Sequence, residues 1–293
     1  MSGSPFSETP AREALEGAIT AIGAAGCETP RLDAEILLAD VLGVDRARLL
    51  SDRGLTVAGP AVRAFQDAVR RRAIEREPVA YITGVRGFRR LELRVDRRAL
   101  VPRPETELLV EVGLMLARGA SVLDLGTGGG AVALALKDER PDLRVSGSDV
   151  SPEALDLARE NGARLGLEVS WLRADLLEGV QDEFDAILSN PPYVAEPERA
   201  TLAPEILRHE PPGALFAGED GLEMIGRLLT QVASRTGAPG QRHGHARVRL
   251  VAIEVGAGQA PAVAELMRGA GFPTVRAERD LAGIERVVVG ERK

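Results

Sequence analysis

A chain of 293 residues with 44% hydrophobic side chains can bury a substantial core, and its length suggests one large domain with a smaller companion. A net charge of −7 argues against a surface built to hold nucleic-acid phosphates, and no run approaches the roughly 18 apolar residues of a membrane span. The single cysteine, Cys27, excludes an internal disulfide, and residues 1–16 carry Glu8, Glu13 and Glu16 without an apolar stretch, so a cytoplasmic protein is expected.

In chain order, Thr9-Pro10 is expected to cap a first helix with Leu15, Ile19 and Ile22 on one stripe. Thr29-Pro30 opens a second, with Leu32, Ile36, Leu37 and Val41 ahead of Gly43. Asp45 caps a brief third helix, and Pro60 starts a fourth carrying Val62, Phe65, Val69 and Ala73. Residues 1–77 thus read as a small all-helical domain. Arg63, Arg70, Arg71, Arg72 and Arg76 form either a solvated helix face or a docking surface for an RNA-associated or acidic partner, the solvated face being the simpler reading. Residues 78–103 change period: Leu91, Leu93 and Val95 alternate with Glu92, Arg94 and Asp96, as in a half-exposed β-hairpin linker.

From residue 104 a helix bearing Leu108, Leu109, Val112 and Leu116 leads into repeated strand and helix signals. Strands are expected at 122–125, 144–148, 169–172, 184–188 and 248–255, mostly separated by helices, which implies a parallel doubly wound sheet over 104–293. Candidates at 274–277 and 286–289 lie too close for an intervening helix and should pair antiparallel. Residues 236–246 read as an exposed loop, and His243 and His245 within it lack a third ligand candidate, so no metal is expected.

Two stretches carry chemistry. Gly126, Thr127, Gly128, Gly129 and Gly130 follow a strand and precede a helix, and the Gly126, Gly128, Ala131 spacing also satisfies the dinucleotide pattern, so a nicotinamide enzyme and other nucleoside binders both remain open. Asp149 closes the next strand, where a carboxylate can accept both ribose hydroxyls; Ser151 is the better cap for the helix that follows. Asp175 and Leu176, past the third strand, are placed to meet an adenine ring.

The second stretch is Asn190-Pro191-Pro192-Tyr193, after the fourth strand. Two prolines remove backbone donors and leave carbonyl acceptors, so a planar NH2 group can donate one hydrogen to the Asn190 side-chain oxygen and another to the Pro191 carbonyl, with Tyr193 against its face. Hydride transfer has no use for such a double acceptor, whereas methyl transfer to a delocalised, poorly nucleophilic nitrogen does. His209, near this loop in sequence, is not needed as a base, because a neutral amide loses its proton only after methylation.

With Glu77 to Gly84, Pro102-Arg103-Pro104-Glu105-Thr106-Glu107, Asp124-Leu125-Gly126-Thr127-Gly128, Asn190-Pro191-Pro192-Tyr193 and Asp280-Leu281-Ala282-Gly283 before Arg286, the chain resembles the HemK/PrmC family over nearly its whole length. These are peptide chain release factor N5-glutamine methyltransferases. The resemblance implies an α/β fold, a seven-stranded class I S-adenosylmethionine-dependent methyltransferase (Rossmann-like) domain behind a small helical domain that helps dock the release factor. It implies that Gly126 to Gly130 hold the methionine part of S-adenosylmethionine, that Asp149 binds its ribose, that Asp175 and Leu176 border adenine, and that Asn190 contacts cofactor as well as substrate. It further implies that Asn190, Pro191, Pro192 and Tyr193 hold the glutamine of a Gly-Gly-Gln motif, with Asn190, Pro191 and Tyr193 serving the reaction, which leaves S-adenosyl-L-homocysteine. A monomer acting without nucleic acid or membrane is expected. Gly129 departs from the serine usual in the family, residues 236–246 form a longer loop than usual, and Glu210 before Pro211 matches a family position, for which a structural capping role is expected. The Asn-Pro-Pro-Tyr motif is shared with adenine-N6 methyltransferases of nucleic acid, which stay open as an alternative, as does a non-catalytic release-factor scaffold.

Overall fold

The computed structural model describes residues 8–235 and 248–292. The expected loop at 236–246, with His243 and His245, lies outside the described residues. Two compact units are present, one formed by the chain to Val85 together with Ala203–His209, the other by Arg86–Leu202 and the chain from Glu210.

The first unit contains β1 (Thr9–Pro10), α1 (Ala11–Ala24), α2 (Pro30–Leu42), α3 (Arg46–Ser51), β2 (Thr56–Val57), α4 (Pro60–Ala73) and α5 (Val79–Thr83). Its core gathers Ile22, Leu37, Leu38, Leu49 and Phe65 at helical spacings. Asp45 caps α3 by accepting from the Arg48 N–H at 2.7 Å. Thr9-Pro10 leads directly into α1, with Pro10 at the N-cap position but no side-chain capping bond, and the two residues also pair antiparallel with Thr56-Val57, so the unit is not purely helical. Pro10 has no N–H to give to a helix, and its φ of −53° and ψ of 134° suit an edge strand. Thr29 precedes α2 as expected, but its hydroxyl donates to the Asp33 carboxylate at 2.8 Å rather than capping the backbone.

Arg63 and Arg70 are exposed, as a solvated helix face would have them, while Arg72 and Arg76 turn inward. Arg72 is buried, with Nε donating to Asp33 Oδ2 at 2.6 Å and Nη2 to Glu205 Oε1 at 3.1 Å. Arg76 gives its Nη2 to Glu205 Oε2 at 2.6 Å, and Arg71 pairs with Glu77 at 2.7 Å. Glu205 comes from a short helix at Pro204–His209, which is why those residues belong with this unit. Part of a charge run in sequence is here an internal ion-pair network. The stretch expected as a hairpin linker from residue 78 begins with α5, whose Val79 and Ile82 pack on the helical core; that apolar burial carries the boundary between units to Val85 and Arg86.

The second unit opens with the hairpin β3 (Val85–Phe88) and β4 (Leu91–Arg94), then α6 (Glu107–Leu114). Strands and helices follow as β5 (Ser121–Leu125), α7 (Ala131–Glu139), β6 (Arg144–Asp149), α8 (Pro152–Leu165), β7 (Ser170–Arg173) and β8 (Ala186–Ser189). After α9, the Pro204–His209 helix of the first unit, come α10 (Glu223–Arg235), β9 (Leu250–Glu254), α11 (Ala260–Gly269), β10 (Thr274–Arg279) and β11 (Glu285–Glu291). Strands β5 to β11 form one seven-stranded sheet in the order β10-β11-β9-β8-β5-β6-β7. β5, β6, β7, β8 and β9 run parallel, and β11 is antiparallel to both β9 and β10, the arrangement expected of a class I methyltransferase sheet.

Near-continuous apolar strands are explained by burial on both faces. Leu123, Leu125, Ile187, Val251, Ile253 and Val288 point to the side covered by α10 and α11, while Val122, Ala186, Leu188, Ala252, Val287 and Val289 point to the side of α6 and α7. The chain leaves β5 toward β6 and leaves β8 toward β9, in opposite directions across the sheet. Between β5 and β8 lies the topological switch point, where open α/β sheets bind ligands outside the carboxyl ends of their strands.

Candidate active site

The loop after β5 is shaped by its glycines. Gly126, Gly128 and Gly130 have φ of +73°, +54° and +88°, a region that costs other residues strain. A Cβ on Gly130 would lie 3.0 Å from the Trp171 ring, and one on Gly129 would lie 3.2 Å from Leu157. Leu157 therefore leaves little room for a side chain at 129, a physical counterpart to the departure from serine.

Two aspartates hold this loop. Asp124, fully buried in β5, accepts from the Thr127 hydroxyl at 2.6 Å and the Ala133 N–H at 3.0 Å through one oxygen. Burial pushes its pKa up to about 6, against those hydrogen bonds. Asp149, at the end of β6, accepts from the Gly128 N–H at 2.9 Å on Oδ2 and from the Ser151 N–H at 2.9 Å on Oδ1. Its pKa is raised by burial, and helix capping falls to Ser151, which accepts from the Ala154 N–H at 3.1 Å. The inner face of the loop is tied down by Asn161, whose Nδ2 donates to the Gly129 carbonyl at 3.0 Å.

Outside β5, β6 and β8 lies a cavity of about 270 Å³, mostly apolar with a few converging polar groups. Gly126, Thr127, Gly128 and Gly129 line it, as do Asp149, Asp175, Leu176, Asn190, Pro191 and Pro192. Gly130 and Tyr193 do not; they stand behind the lining, Gly130 against Trp171 and Tyr193 against Glu254. Leu176 holds φ at +54°, unusual for a branched side chain and of a kind that gathers at functional sites. Asp175 is paired with Arg227 at 2.9 Å. Ser148 Oγ is buried at the cavity edge with no hydrogen-bond partner among the described residues. Glycines that let a ligand reach the backbone, a carboxylate with lone pairs to spare and an orphaned hydroxyl together fit a nucleoside with a charged, flexible tail.

Asn190 begins the loop after β8, and its Nδ2 donates to the Thr106 hydroxyl at 3.2 Å. Tyr193 is fixed at both ends: its hydroxyl donates to Glu254 Oε1 at 3.3 Å, and its carbonyl accepts from Gln259 Nε2 at 2.9 Å. Burial, together with the neighbouring Glu254 carboxylate, holds its phenol well above the ordinary range. Arg103 donates through Nη2 to both oxygens of the buried Glu210, at 2.6 and 2.8 Å. Glu210, expected as a cap, thus anchors an arginine that lines the cavity. His209 belongs to the other unit, its Nε2 donating to the Glu75 carbonyl at 2.8 Å. Among the described residues no cluster of three or more His, Cys, Asp or Glu could hold a metal.

Sequence reasoning gave no individual role to Asp124, Asn161, Thr106, Arg103 or Glu254. For Glu254 a signal was present: an acid closing an apolar strand at the same sheet end as Asp149 and Asn190.

Residues 13–84 match the family described as PrmC N-terminal domain, and residues 104–218 match the Methyltransferase small domain. The chain is similar to the release factor glutamine methyltransferase of Deinococcus radiodurans, at 40% identity over 96% of this chain and 98% of that one. It is likewise similar to that of Caulobacter vibrioides, at 39% identity over 91% of each. In fold it is similar to the crystallised hMettl16 catalytic domain, with a TM-score of 0.52, 16% identity and coverage of 79% of this chain and 81% of that one. With these relatives matching over more than nine-tenths of the chain and a family model falling in each of its units, the chain belongs to the release factor glutamine methyltransferase family, S-adenosylmethionine-dependent enzymes of the class I fold.

Proposed function

We propose that this protein transfers a methyl group from S-adenosylmethionine to the side-chain nitrogen, N5, of the glutamine in the Gly-Gly-Gln motif of peptide chain release factors, supporting translation termination. The observation that carries the reading is the meeting, at the β5/β8 switch point, of the glycine loop with an asparagine whose NH2 is already committed to Thr106. That commitment leaves the Asn190 oxygen as the acceptor.

When bound, the cofactor supplies an electrophilic methyl on a sulfonium. Gly126 to Gly129 would hold its methionine part, Asp149 would accept from its ribose hydroxyls, Asp175 and Leu176 would border its adenine, and Asn190 would contact cofactor as well as substrate. The substrate amide donates one hydrogen to Asn190 Oδ1 and the other to the Pro191 carbonyl. An amide nitrogen is a poor nucleophile, so the gain comes from holding it in line and from acceptors already placed for the positive charge that grows on nitrogen. Pro192 stiffens the loop and Tyr193, tied to Glu254, fixes its exit. The proton leaves only after the methyl has arrived, when the nitrogen is strongly acidic, so no dedicated base is required.

The helical unit docks the release factor in this reading. The enzyme is monomeric and cytoplasmic and needs no nucleic acid, in keeping with its net charge of −7. The test is peptide mass analysis of a release factor incubated with the protein and S-adenosylmethionine. A gain of one methylene on the motif glutamine, absent when that glutamine is replaced, is the expected result; cofactor binding without that gain overturns the reading.

A further inference from the structure

The loop Asn190-Pro191-Pro192-Tyr193 has few soft torsions, because each proline fixes its own φ and restricts the residue before it. A stiff segment takes its course from its two ends. At the first, Ser189 gives its hydroxyl to the Leu125 carbonyl at 2.8 Å. At the second, the Tyr193 carbonyl accepts from Nε2 of Gln259, the residue immediately before α11, at 2.9 Å. Gln259 does not line the cavity; its Oε1 accepts from the Gly256 N–H at 2.8 Å, and its Nε2 also reaches the Asp220 carbonyl at 3.5 Å. One backbone donor and two backbone acceptors are matched by a side-chain amide in a single orientation, so the flip of Gln259 is set by groups that have no choice of their own.

The packing around this bond is close. A Cβ on Gly221 would lie 2.3 Å from the Tyr193 oxygen and 2.8 Å from Gln259 Nε2, and one on Gly256 would lie 3.3 Å from the Tyr193 ring, so glycine alone fits at either place. Gln259 thus joins the loop after β8 to the turn before α10 and to the end of β9. Held by its hydroxyl on Glu254 and by its carbonyl on Gln259, Tyr193 is fixed as a whole residue, and the stiff segment between it and Ser189 keeps one course. We infer that Gln259 is a positioning residue, which by holding the Tyr193 carbonyl sets the aim of the Pro191 carbonyl, and with it Asn190, at the NH2 of the incoming substrate. This rests on the reading of Asn190 and Pro191 as the two acceptors for that NH2.

The test compares the intact protein with Gln259→Met and Gln259→Glu, measuring kcat and KM for a release factor and the Kd of S-adenosylmethionine. Methionine keeps the shape of glutamine and loses both hydrogen-bonding ends; glutamate keeps the acceptor for Gly256 but sets an oxygen against the Tyr193 carbonyl. Gln259→Met is expected to lower kcat by about 10-fold and Gln259→Glu by about 10- to 100-fold, with KM within about 3-fold and cofactor Kd within about 2-fold. Gln259→Met should cost less in an Asn190→Ala background than in the unaltered protein, because one of the two acceptors it helps to aim is already gone. A merely structural role lowers the melting temperature and leaves kcat of the folded protein within about 2-fold. That result overturns the inference, as does a loss carried by KM or an equal loss in both backgrounds. If the unaltered protein transfers no methyl group, the proposed function falls instead, and the inference is decided by the crystal structure of Gln259→Met: a Pro191 carbonyl displaced by about 0.5 Å or more supports it, and an unmoved one overturns it.

Discussion

Ser189 donates its hydroxyl to the Leu125 carbonyl at 2.8 Å, and the two are partners across the parallel strands β8 and β5. Because the strands end in register, the residues that follow, Asn190 and Gly126, emerge side by side; a Cβ on Gly126 would lie 3.8 Å from the Asn190 carbonyl. The cofactor cradle and the amide acceptor are thereby set at one point of the sheet. Asn190→Ala should lower kcat by about 100-fold or more, the scale found when one preorganised polar group is removed from an active site. Its affinity for S-adenosylmethionine should fall far less. Single-turnover mass analysis with calorimetric titration separates the two effects.

Asp149 faces two tasks, holding the Gly128 N–H and offering lone pairs to the cavity. Asp149→Ala should weaken S-adenosylmethionine binding by about 10- to 100-fold, as expected when charge-assisted hydrogen bonds of roughly 1.5–3 kcal/mol are lost. The thermal stabilisation that S-adenosyl-L-homocysteine gives the unaltered protein should shrink accordingly. Differential scanning calorimetry at fixed ligand concentration reads this directly, and an undiminished shift would remove Asp149 from the site.

Glu254 makes stability depend on pH. Burial pushes its pKa from 4.5 up to about 7, aided by the Glu105 charge, while the neighbouring Thr106, the Tyr193 hydrogen bond and Arg286 oppose the shift. A carboxyl whose folded pKa is raised binds its proton more tightly when folded, so its contribution is fully present below the unfolded value and is lost as pH rises through the folded one. Glu254→Gln carries no such proton. Relative to the unaltered protein, the variant should gain on the order of 3 kcal/mol between pH about 4.5 and about 7, at about 1.4 kcal/mol per pH unit, and change little above. Urea melts at several pH values provide the curve; parallel curves would show that the carboxyl titrates normally.

Asp33 and Arg72 are both buried within the helical unit and 2.6 Å apart. Asp33→Leu leaves a buried guanidinium with the Glu205 carboxylate and the Glu77 carbonyl as partners but without its closest counter-charge, and should cost about 3–5 kcal/mol. Replacing Asp33 and Arg72 together by apolar residues of similar volume should cost much less, since the desolvation penalty disappears with the pair. Equilibrium denaturation of the two variants decides between them; equal losses would mean that the pair contributes shape rather than charge.

Much of the architecture was legible because local physics and global fold agree. Apolar runs separated by helix and turn signals marked each strand of the large sheet to within a few residues, and the short gap between the candidates at 274–277 and 286–289 required an antiparallel pair. The glycine loop was legible for the same reason: positive φ at Gly126, Gly128 and Gly130 is a backbone demand that only glycine meets cheaply. Thr9-Pro10 was legible as the start of α1 but not as an edge strand, because that pairing depends on Thr56-Val57, far along the chain.

The partners of charged groups were not legible at all. Arg72 in a row of arginines looks like a solvated face until Asp33 and Glu205 arrive from other helices, and Glu210 looks like a cap until Arg103 reaches it. The sequence by itself determined the periodicities, the turns and the chemistry each motif can perform, since these follow from side-chain type and spacing. Only the tertiary structure decided that the ends of β5, β6, β8 and β9 converge, that Tyr193 turns to Glu254 rather than lining the cavity, and which way the Asn190 amide faces. Hydrogen bonds act over about 3 Å, and in a chain this long the groups that satisfy a buried polar atom are chosen by where strands end in space, which no local pattern records.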